Sequence, residues 1–473
     1  MQRANSGFFR ISSDKTIGFS SLRHRLRFSI NLSPCMDLEA IAPLLGVTNP
    51  KTSGDAMNAP NELKSHQLSY HEIVAKYPTV SPFVILKTDV QRRGVTYTTQ
   101  AIERANPALH LLQFRSIFHT IGEKQTPQIP VSLLLRDGTS ILTGMRPDAP
   151  APYLVDFVDG RLVLTDHGQI LEEVEYWHKP QYVDKHTSAG TPMWQVATPR
   201  PQRLDINPYS YCHFWDDGGG CKYCNISSHF NKERKNNGKP LRIAPRDIYE
   251  TVREAVKQPG RFANIMLTGG SILSGSQLFD DELQVYIETL QAIGENFTTR
   301  RFPSQLIASA FSLDQLARLY EETGLLTYTS DLEVLDDALF NWICPGKAGK
   351  LGYQAWKRRL IDAVQIFGTG RVNTGIVGGV ETATPHGFAS EDEALDATLT
   401  EAEDLAQHGV TVVQCVWSPT RGSAFAKQHP PSLEYYVRLS QGLDALRRHY
   451  NLNADMDSYR ICGNHPDTDL SRI

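Results

Sequence analysis

The spacing of hydrophobic and polar residues differs between the two halves of the chain. Between residues 66 and 195, short apolar runs are broken by Asp137-Gly138 and Asp159-Gly160, and a helical stretch lies near 99–105. Asp-Gly between alternating apolar residues is a strong signal for a β-hairpin. The predicted strands are 131–135, 140–143, 153–158 and 161–165. This half predicts a small α+β module whose role the sequence does not indicate.

After Arg203, apolar runs alternate with helical segments. One strand is expected just before Cys212, and the others are 265–267, 306–310, 325–333, 372–377 and 410–416. The helices between and after them are 282–293, one with a capping box at Ser312, 336–343, 353–367, one with a capping box at Ser390, and 433–450. Strands separated by helices of this length predict βαβ units and a parallel sheet.

The fold class that follows is α/β, with a partial (β/α)6 TIM-like barrel over residues 196–450 and the α+β module before it. The visible units are fewer than those of a closed barrel of about eight strands. In either form of barrel, ligands bind at the carboxyl ends of the strands. Residues 451–473 are expected to form a tail that closes the barrel.

The first 65 residues predict a disordered, targeting or extension segment. Residues 1–35 carry six basic residues against one acid, Asp14. This composition is typical of an organellar transit peptide, and it fits equally well an upstream extension of a protein that starts at Met36. We expect a cytoplasmic protein, with import into an organelle as the alternative if residues 1–35 are a transit peptide.

Composition narrows the classes of partner. The chain has 473 residues, 21% of them charged, and a formal net charge of −4. No overall positive field draws it to nucleic acid and no apolar run is long enough to span a membrane, so neither partner is expected. The seven cysteines are odd in number and thinly spread, which favours a reducing compartment. Those outside the central group, Cys35, Cys344, Cys415 and Cys462, are expected to be buried apolar residues.

Three cysteines lie close together in the sequence: Cys212, Cys221 and Cys224. Three thiolates on one loop suit an iron–sulfur cluster or zinc. Structural zinc normally takes four protein ligands, usually as two close pairs, whereas this loop offers one pair and one outlier. The run Gly218-Gly219-Gly220 lets the backbone fold tightly around such a group. The cluster is therefore favoured, and structural zinc stays an alternative.

The cysteine segment resembles the radical S-adenosylmethionine (SAM) superfamily. Cys221-Lys222-Tyr223-Cys224 matches the second half of its CxxxCxxC motif, including the aromatic residue before the last cysteine, while the first spacing is eight residues instead of three, giving CX8CX2C. The resemblance implies an oxygen-sensitive [4Fe-4S] cluster whose fourth iron binds the amino and carboxylate groups of SAM. One electron, from a donor such as flavodoxin or ferredoxin, then splits SAM to a 5′-deoxyadenosyl radical.

Two downstream motifs extend this resemblance. Thr268-Gly269-Gly270-Ser271 stands where the superfamily has its glycine-rich motif for the SAM amino group, and GIVGGVET at 375–382 is similar to GIVGLGET of biotin synthase. A biotin-synthase-like branch is thereby implied. The implied SAM contacts are Tyr223, Thr268, Gly269, Gly270, Ser309, Asp331, Glu333, Gly378 and Glu381, with Glu333 assigned to the ribose. Alternatively, Asp331 and Glu333 cap the next helix, and Glu381 accepts backbone hydrogen bonds at its own turn.

The substrate side is less specific. The resemblance implies hydrogen abstraction from a small metabolite or cofactor precursor; methylation, carbon-skeleton rearrangement and a zinc-stabilised binding protein without catalysis stay open. Candidate catalytic residues are Arg421, Cys462 and His465. The segment 345–350 superficially resembles a phosphate loop, but it lacks the GxxxxGK[ST] spacing and follows a helix, so that interpretation is rejected.

Overall fold

The fold was analysed in a computed structural model that describes residues 67–113, 129–142, 151–227, 240–452 and 464–470. The segment 1–65, with Cys35, lies outside these ranges. All described residues belong to one compact unit, Ser65–Ile473. Among them, no helix combines the length and apolar character that crossing a membrane requires.

The strands, in chain order, are β1 Val95–Tyr97, β2 Leu112–Gln113, β3 Ile129–Pro130, β4 Ser132–Leu135, β5 Ser140–Leu142, β6 Tyr153–Val158, β7 Arg161–Asp166, β8 Gln169–Tyr176, β9 Ala197–Arg200, β10 Gln202–Ile206, β11 Phe262–Thr268, β12 Ser304–Ile307, β13 Thr327–Thr329, β14 Val372–Gly378 and β15 Val410–Val416.

The α-helices are α1 Tyr70–Lys76, α2 Pro82–Arg93, α3 Thr99–Glu103, α4 Met193–Val196, α5 Pro245–Ala255, α6 Asp280–Gly294, α7 Leu313–Glu322, α8 Asp337–Ile343, α9 Pro345–Lys350, α10 Tyr353–Phe367, α11 Glu391–Gln407, α12 Leu433–His449 and α13 Pro466–Asp469.

The first half forms a six-stranded sheet in the order β1-β6-β7-β8-β4-β5. Both predicted hairpins are confirmed: β4 pairs antiparallel with β5, and β6 with β7. Their turns use left-handed backbone at Gly138 and Gly160, with φ of 84° and 81°, which glycine adopts without steric cost. Strand β8 was not predicted, because three glutamates interrupt its apolar positions.

The second half confirms the partial barrel. A seven-stranded sheet runs in the order β15-β14-β13-β12-β11-β10-β9, and β10 to β15 are parallel. Both predicted helix starts are also present, since Ser312 accepts the Gln315 N–H and Ser390 accepts the Glu393 N–H. The six parallel strands bring the loops that follow them to one end of the sheet.

One predicted strand was too long. The sequence indicated 325–333, but β13 covers Thr327–Thr329, and pairing returns only as an isolated bridge between Glu333 and Ile376. Between these points side chains replace backbone partners: the Leu332 N–H donates to the Thr374 hydroxyl at 2.9 Å, and the Gly375 N–H donates to Asp331 Oδ1 at 2.8 Å. Glu333 then has φ of 72°, in the left-handed region. The polar residues at this strand end therefore belong to an irregular segment at the barrel mouth.

Buried ion pairs fasten the last described segment to the edge of the barrel. Asp469 of α13 lies 2.6 Å from Lys87 of α2, and both side chains are almost inaccessible to solvent. Asp467 accepts hydrogen bonds from Arg447 at 2.8 Å and from the Gln414 N–H of β15 at 3.2 Å. Helices α2, α12 and α13 thus pack beside β15, the outer strand of the parallel sheet.

We predict that Asp469→Ala lowers the free energy of unfolding by about 3–5 kcal/mol, because it leaves the Lys87 ammonium buried without its partner. Urea denaturation followed by circular dichroism measures the change. Lys185→Ala is the control: Lys185 pairs with Glu254 at the surface, and its loss is expected to cost about 1 kcal/mol or less. Equal effects of the two substitutions would contradict this account of the barrel edge.

Candidate metal centre

The loop after β10 carries the three cysteines, and its long first spacing is a hydrogen-bonded turn. Cys212 precedes a short 3-10 helix, His213–Trp215. The two ring nitrogens of His213 are both engaged, Nε2 at 2.7 Å from the Tyr209 hydroxyl and Nδ1 at 2.8 Å from Asp216 Oδ2. The residues between the first two cysteines are therefore anchored to the strand end that precedes them.

Backbone contacts hold the same loop against the junction of α8 and α9. The Gly346 N–H donates to the Gly219 carbonyl at 2.8 Å, and the Lys222 N–H donates to the Ile343 carbonyl at 2.9 Å. A Cβ at Gly219 would lie 2.8 Å from Gly346 Cα, closer than a side chain can approach. These two hydrogen bonds place the second cysteine opposite the start of α9.

The three cysteines of this loop are half-buried. Burial raises the pKa of Cys212 to about 11 and raises that of Cys224 as well, and the charge of Cys221 adds to both shifts. For Cys221 itself, a hydrogen bond with the buried Cys344 thiol lowers the pKa, and the Lys347 ammonium acts in the same direction. The charge of Cys212 also adds to the shift at Cys224, so electrostatic interactions link the three thiols.

These residues fit an iron–sulfur cluster. Among the described residues, no group of three or more His, Cys, Asp or Glu side chains is arranged around a single metal ion. A cluster makes a different demand, because each thiolate binds its own iron and the sulfurs need not converge on one point. Coordination also favours the thiolate form, which offsets the raised pKa values that burial causes. Three half-buried thiols on one loop provide three such ligands.

The Thr268-Gly269-Gly270-Ser271 motif follows β11 and lies directly against the first cysteine. A Cβ on Gly270 would be 2.1 Å from the Tyr211 carbonyl oxygen and 2.6 Å from Cys212 Cα, so a larger residue would displace the cysteine loop. The His213 N–H donates to the Ser271 carbonyl at 2.9 Å. The structure therefore brings together two motifs that are more than 40 residues apart in the sequence.

A carboxylate that the sequence analysis did not single out, Glu282 of α6, ties two strand ends together. It accepts the Ser309 N–H at 2.8 Å and the Ile272 N–H at 3.0 Å. Ser309 Oγ lies 2.8 Å from Glu282 Oε2 and 2.8 Å from Ser271 Oγ. Burial raises the pKa of Glu282 to about 7, although these hydrogen bonds oppose the shift. Glu282 thus fixes the predicted contact Ser309 beside the glycine-rich motif.

Asp331 and Glu333 meet around Lys347 of α9. Lys347 Nζ lies 2.7 Å from Glu333 Oε1 and donates to the Asp331 carbonyl oxygen at 2.7 Å. Asp331 Oδ1 accepts the Gly375 N–H at 2.8 Å, and burial raises the pKa of Asp331 to about 6. Capping of the next helix is done by Asp336 instead. Both carboxylates therefore stay at the barrel mouth, beside a lysine that the sequence analysis had considered only as part of a phosphate loop.

The predicted contacts after β14 are held by their own turn. Glu381 accepts the Gly379 N–H at 2.8 Å and the hydroxyl of Tyr435, as the alternative interpretation of this residue requires. Burial raises the pKa of Glu381 to about 7. At Gly378, a Cβ would lie 2.4 Å from Gln414 Oε1, so this glycine allows β15 to pack closely. Glu381 therefore supports the turn, and Gly378 supports the packing of β14 against β15.

The other predicted residues have different positions. Tyr223 forms a hydrogen bond with Cys221. Burial raises the pKa of Tyr223, and the charges of Cys221 and Glu333 add to this shift. His465 is buried near Asp331, whose pKa it lowers in part. Arg421 is exposed on the loop after β15. Cys462 lies outside the described residues.

The fold and the site define a half-barrel α/β protein with a candidate cluster site at the carboxyl ends of its parallel strands. No family model matches the chain. The chain is 22% identical over 339 residues to the bacteriochlorophyllide c C-7(1)-hydroxylase of Chlorobaculum limnaeum, covering 69% of this chain and 80% of that protein. This similarity to an enzyme over most of both chains indicates that the protein is an enzyme.

Two solved structures are also similar. One is a radical SAM methyltransferase from Sphaerobacter thermophilus, with 17% identity, a TM-score of 0.38 and coverage of 69% of this chain and 83% of that one. The other is the cobalamin-dependent S-adenosylmethionine radical enzyme OxsB, with 9% identity, a TM-score of 0.30 and coverage of 67% and 48%.

We predict that Gly270→Ala greatly reduces the iron that the protein binds on anaerobic reconstitution, because the added methyl group displaces the backbone at Tyr211 and Cys212. Iron analysis of the purified variant measures this. Gly349→Ala is the matched control, since a Cβ there meets no atom within 4 Å. Wild-type iron content in Gly270→Ala would show that the close contact between the two loops is not needed for the site.

Proposed function

We propose that the protein is a radical SAM enzyme whose [4Fe-4S] cluster is held by Cys212, Cys221 and Cys224. The observation that carries the proposal is that the loop with the three half-buried cysteines lies directly against a glycine-rich loop at the carboxyl ends of parallel strands, where a Cβ on Gly270 would be 2.6 Å from Cys212 Cα. Three cysteines leave one iron of such a cluster open. When bound, the cluster supplies one electron that splits SAM to a 5′-deoxyadenosyl radical.

The protein's own residues would bind and orient SAM around that open position. The backbone of Thr268-Gly269-Gly270 offers carbonyl groups for the amino group, and Ser309 lies beside this loop at the end of β12. Glu333, across the mouth, offers the carboxylate oxygen that Lys347 does not occupy to the ribose hydroxyls. Tyr223 and Asp331 line the same end of the barrel.

The reaction we propose is hydrogen abstraction from a small metabolite or cofactor precursor, with flavodoxin or ferredoxin as electron donor. The curated relative is named for the hydroxylation of a carbon of a bacteriochlorophyllide. Hydroxylation replaces a C–H bond by a C–OH bond. Because hydrogen abstraction breaks such a C–H bond, the activity named for this relative supports the proposed reaction class. The GIVGGVET run supports assignment to the biotin-synthase-like branch, although Glu381 is held within its own turn.

Anaerobic reconstitution with iron and sulfide tests the proposal. We expect a brown protein with about four iron atoms per chain, the content of one [4Fe-4S] cluster. With dithionite and SAM it should form 5′-deoxyadenosine and methionine, measured by liquid chromatography with mass spectrometry. Cys221→Ala should lose both the colour and the product, because it removes one of three cluster ligands.

Cys415→Ala is the matched control, because this half-buried thiol lies on β15, at the far edge of the sheet from β10, which the cysteine loop follows. It should retain iron content and SAM cleavage. A colourless wild-type protein that takes up zinc and no iron would overturn the proposal and favour the zinc-stabilised binding protein.

A further inference from the structure

Lys347 is a buried cation that contacts Asp331, Glu333 and Trp356 at this site. It is only 8% exposed, and its ammonium group contacts Glu333 Oε1 and the Asp331 carbonyl oxygen, each at 2.7 Å. It also lies 4.7 Å from the centroid of the Trp356 ring, which covers it on another side. A buried ammonium group with three such neighbours has little freedom to move.

The same ammonium group lies beside the cysteine loop. The Gly346 N–H, one residue before Lys347, donates to the Gly219 carbonyl of that loop at 2.8 Å. The hydrogen bond from Lys222 to Ile343 keeps the cysteine loop beside the start of α9. One positive charge therefore lies within electrostatic reach of both the cluster ligands and the carboxylate assigned to the ribose.

We propose that Lys347 is a positioning residue that makes the cluster easier to reduce and holds Glu333 towards the nucleoside of SAM. This inference rests on the proposed function. Reduction adds one negative charge to a site that already holds three thiolates and two carboxylates at the end of β13. In a buried site, charges interact far more strongly than in water, so a nearby ammonium group stabilises the reduced state by more than a surface lysine does.

The second part of the proposed role of Lys347 is to hold Glu333 in place. Its φ of 72° lies in a region that residues other than glycine rarely adopt, and an observed outlier of this kind requires support from its surroundings. The ion pair with Lys347 and the hydrogen bond of the Glu333 N–H to the Gly375 carbonyl, at 3.0 Å, supply that support. The lysine thus links the conformation of the nucleoside contact to the charge of the cluster.

Lys350 provides a matched control within the same helix. It lies three residues after Lys347, but its side chain is exposed at the end of α9. Lys350→Gln removes the same charge at a similar place in the sequence, where water screens it. Lys347→Arg keeps the buried charge, whereas Lys347→Gln removes it and leaves a polar side chain that is one atom shorter.

The test is a redox titration of the reconstituted full-length protein with dithionite, without SAM, in which electron paramagnetic resonance follows the reduced cluster. We expect Lys347→Gln to make reduction at least tenfold less favourable, which corresponds to a midpoint potential lower by about 59 mV for one electron. Lys347→Arg and Lys350→Gln should stay close to wild type. A Lys347→Gln variant with a full cluster and the wild-type potential would overturn the inference.

A second variant covers the case in which Lys347→Gln takes up no cluster. Glu333→Gln/Lys347→Gln removes both charges of the pair, so it should take up the cluster even if Lys347→Gln does not. If the double variant also binds no iron, the electrostatic role is wrong. If Lys347→Gln does bind iron, the double variant should have a midpoint potential closer to wild type, and an equally low potential would contradict the electrostatic role. Failure of wild type itself to bind iron would count against the proposed function instead.

Discussion

The site depends on the close approach of three backbone segments at one end of the half-barrel. The cysteine loop contacts the glycine-rich loop through Gly270 and the junction before α9 through Gly219 and Gly346. None of these contacts leaves room for a Cβ, so the distances between the thiols are set by backbone atoms. The long spacing after Cys212 serves the same end, because it allows a turn that is fastened by hydrogen bonds before the chain reaches Cys221.

Exclusion of water from the site makes ionisation of its thiols and carboxylates unfavourable. Burial raises the pKa values of Cys212, Glu282 and Asp331. The charges of Cys221 and Glu282 add to the shift at Cys212, and that of Glu333 adds to the shift at Asp331. Hydrogen bonds from backbone N–H groups offset part of this effect at Glu282, and the buried ammonium group of Lys347 offsets part of it at the cysteines. Positively charged metal and sulfonium groups fit such an excess of acceptors.

The sequence predicted the repeating architecture well because the signals are local. Alternation of apolar runs with capped helices fixed the six parallel strands, and Asp-Gly pairs fixed both hairpins. The cysteines, Gly270 and Ser309 could be assigned to one site because parallel strands bring their carboxyl ends together. Resemblance to a known family supplied the proposed chemistry, which no spacing by itself could indicate.

What the sequence missed depends on contacts between distant segments. Glu282 and Lys347 are helix residues with ordinary neighbours in the sequence, and only the packing of α6 and α9 against the strand ends brings them to the site. The short β13 has a similar origin, since the side chains of Thr374 and Asp331 replace backbone partners where its pairing with β14 would continue. Glu381 shows the opposite case, because its partners lie within its turn and on α12.

Electron paramagnetic resonance of the dithionite-reduced, reconstituted protein, recorded with and without SAM, tests the central claim most directly. A cluster held by three cysteines has one iron that SAM can bind, so the account predicts a reduced-cluster signal that changes when SAM is added. A signal that SAM leaves unchanged, or a protein that forms no cluster under these conditions, would contradict it.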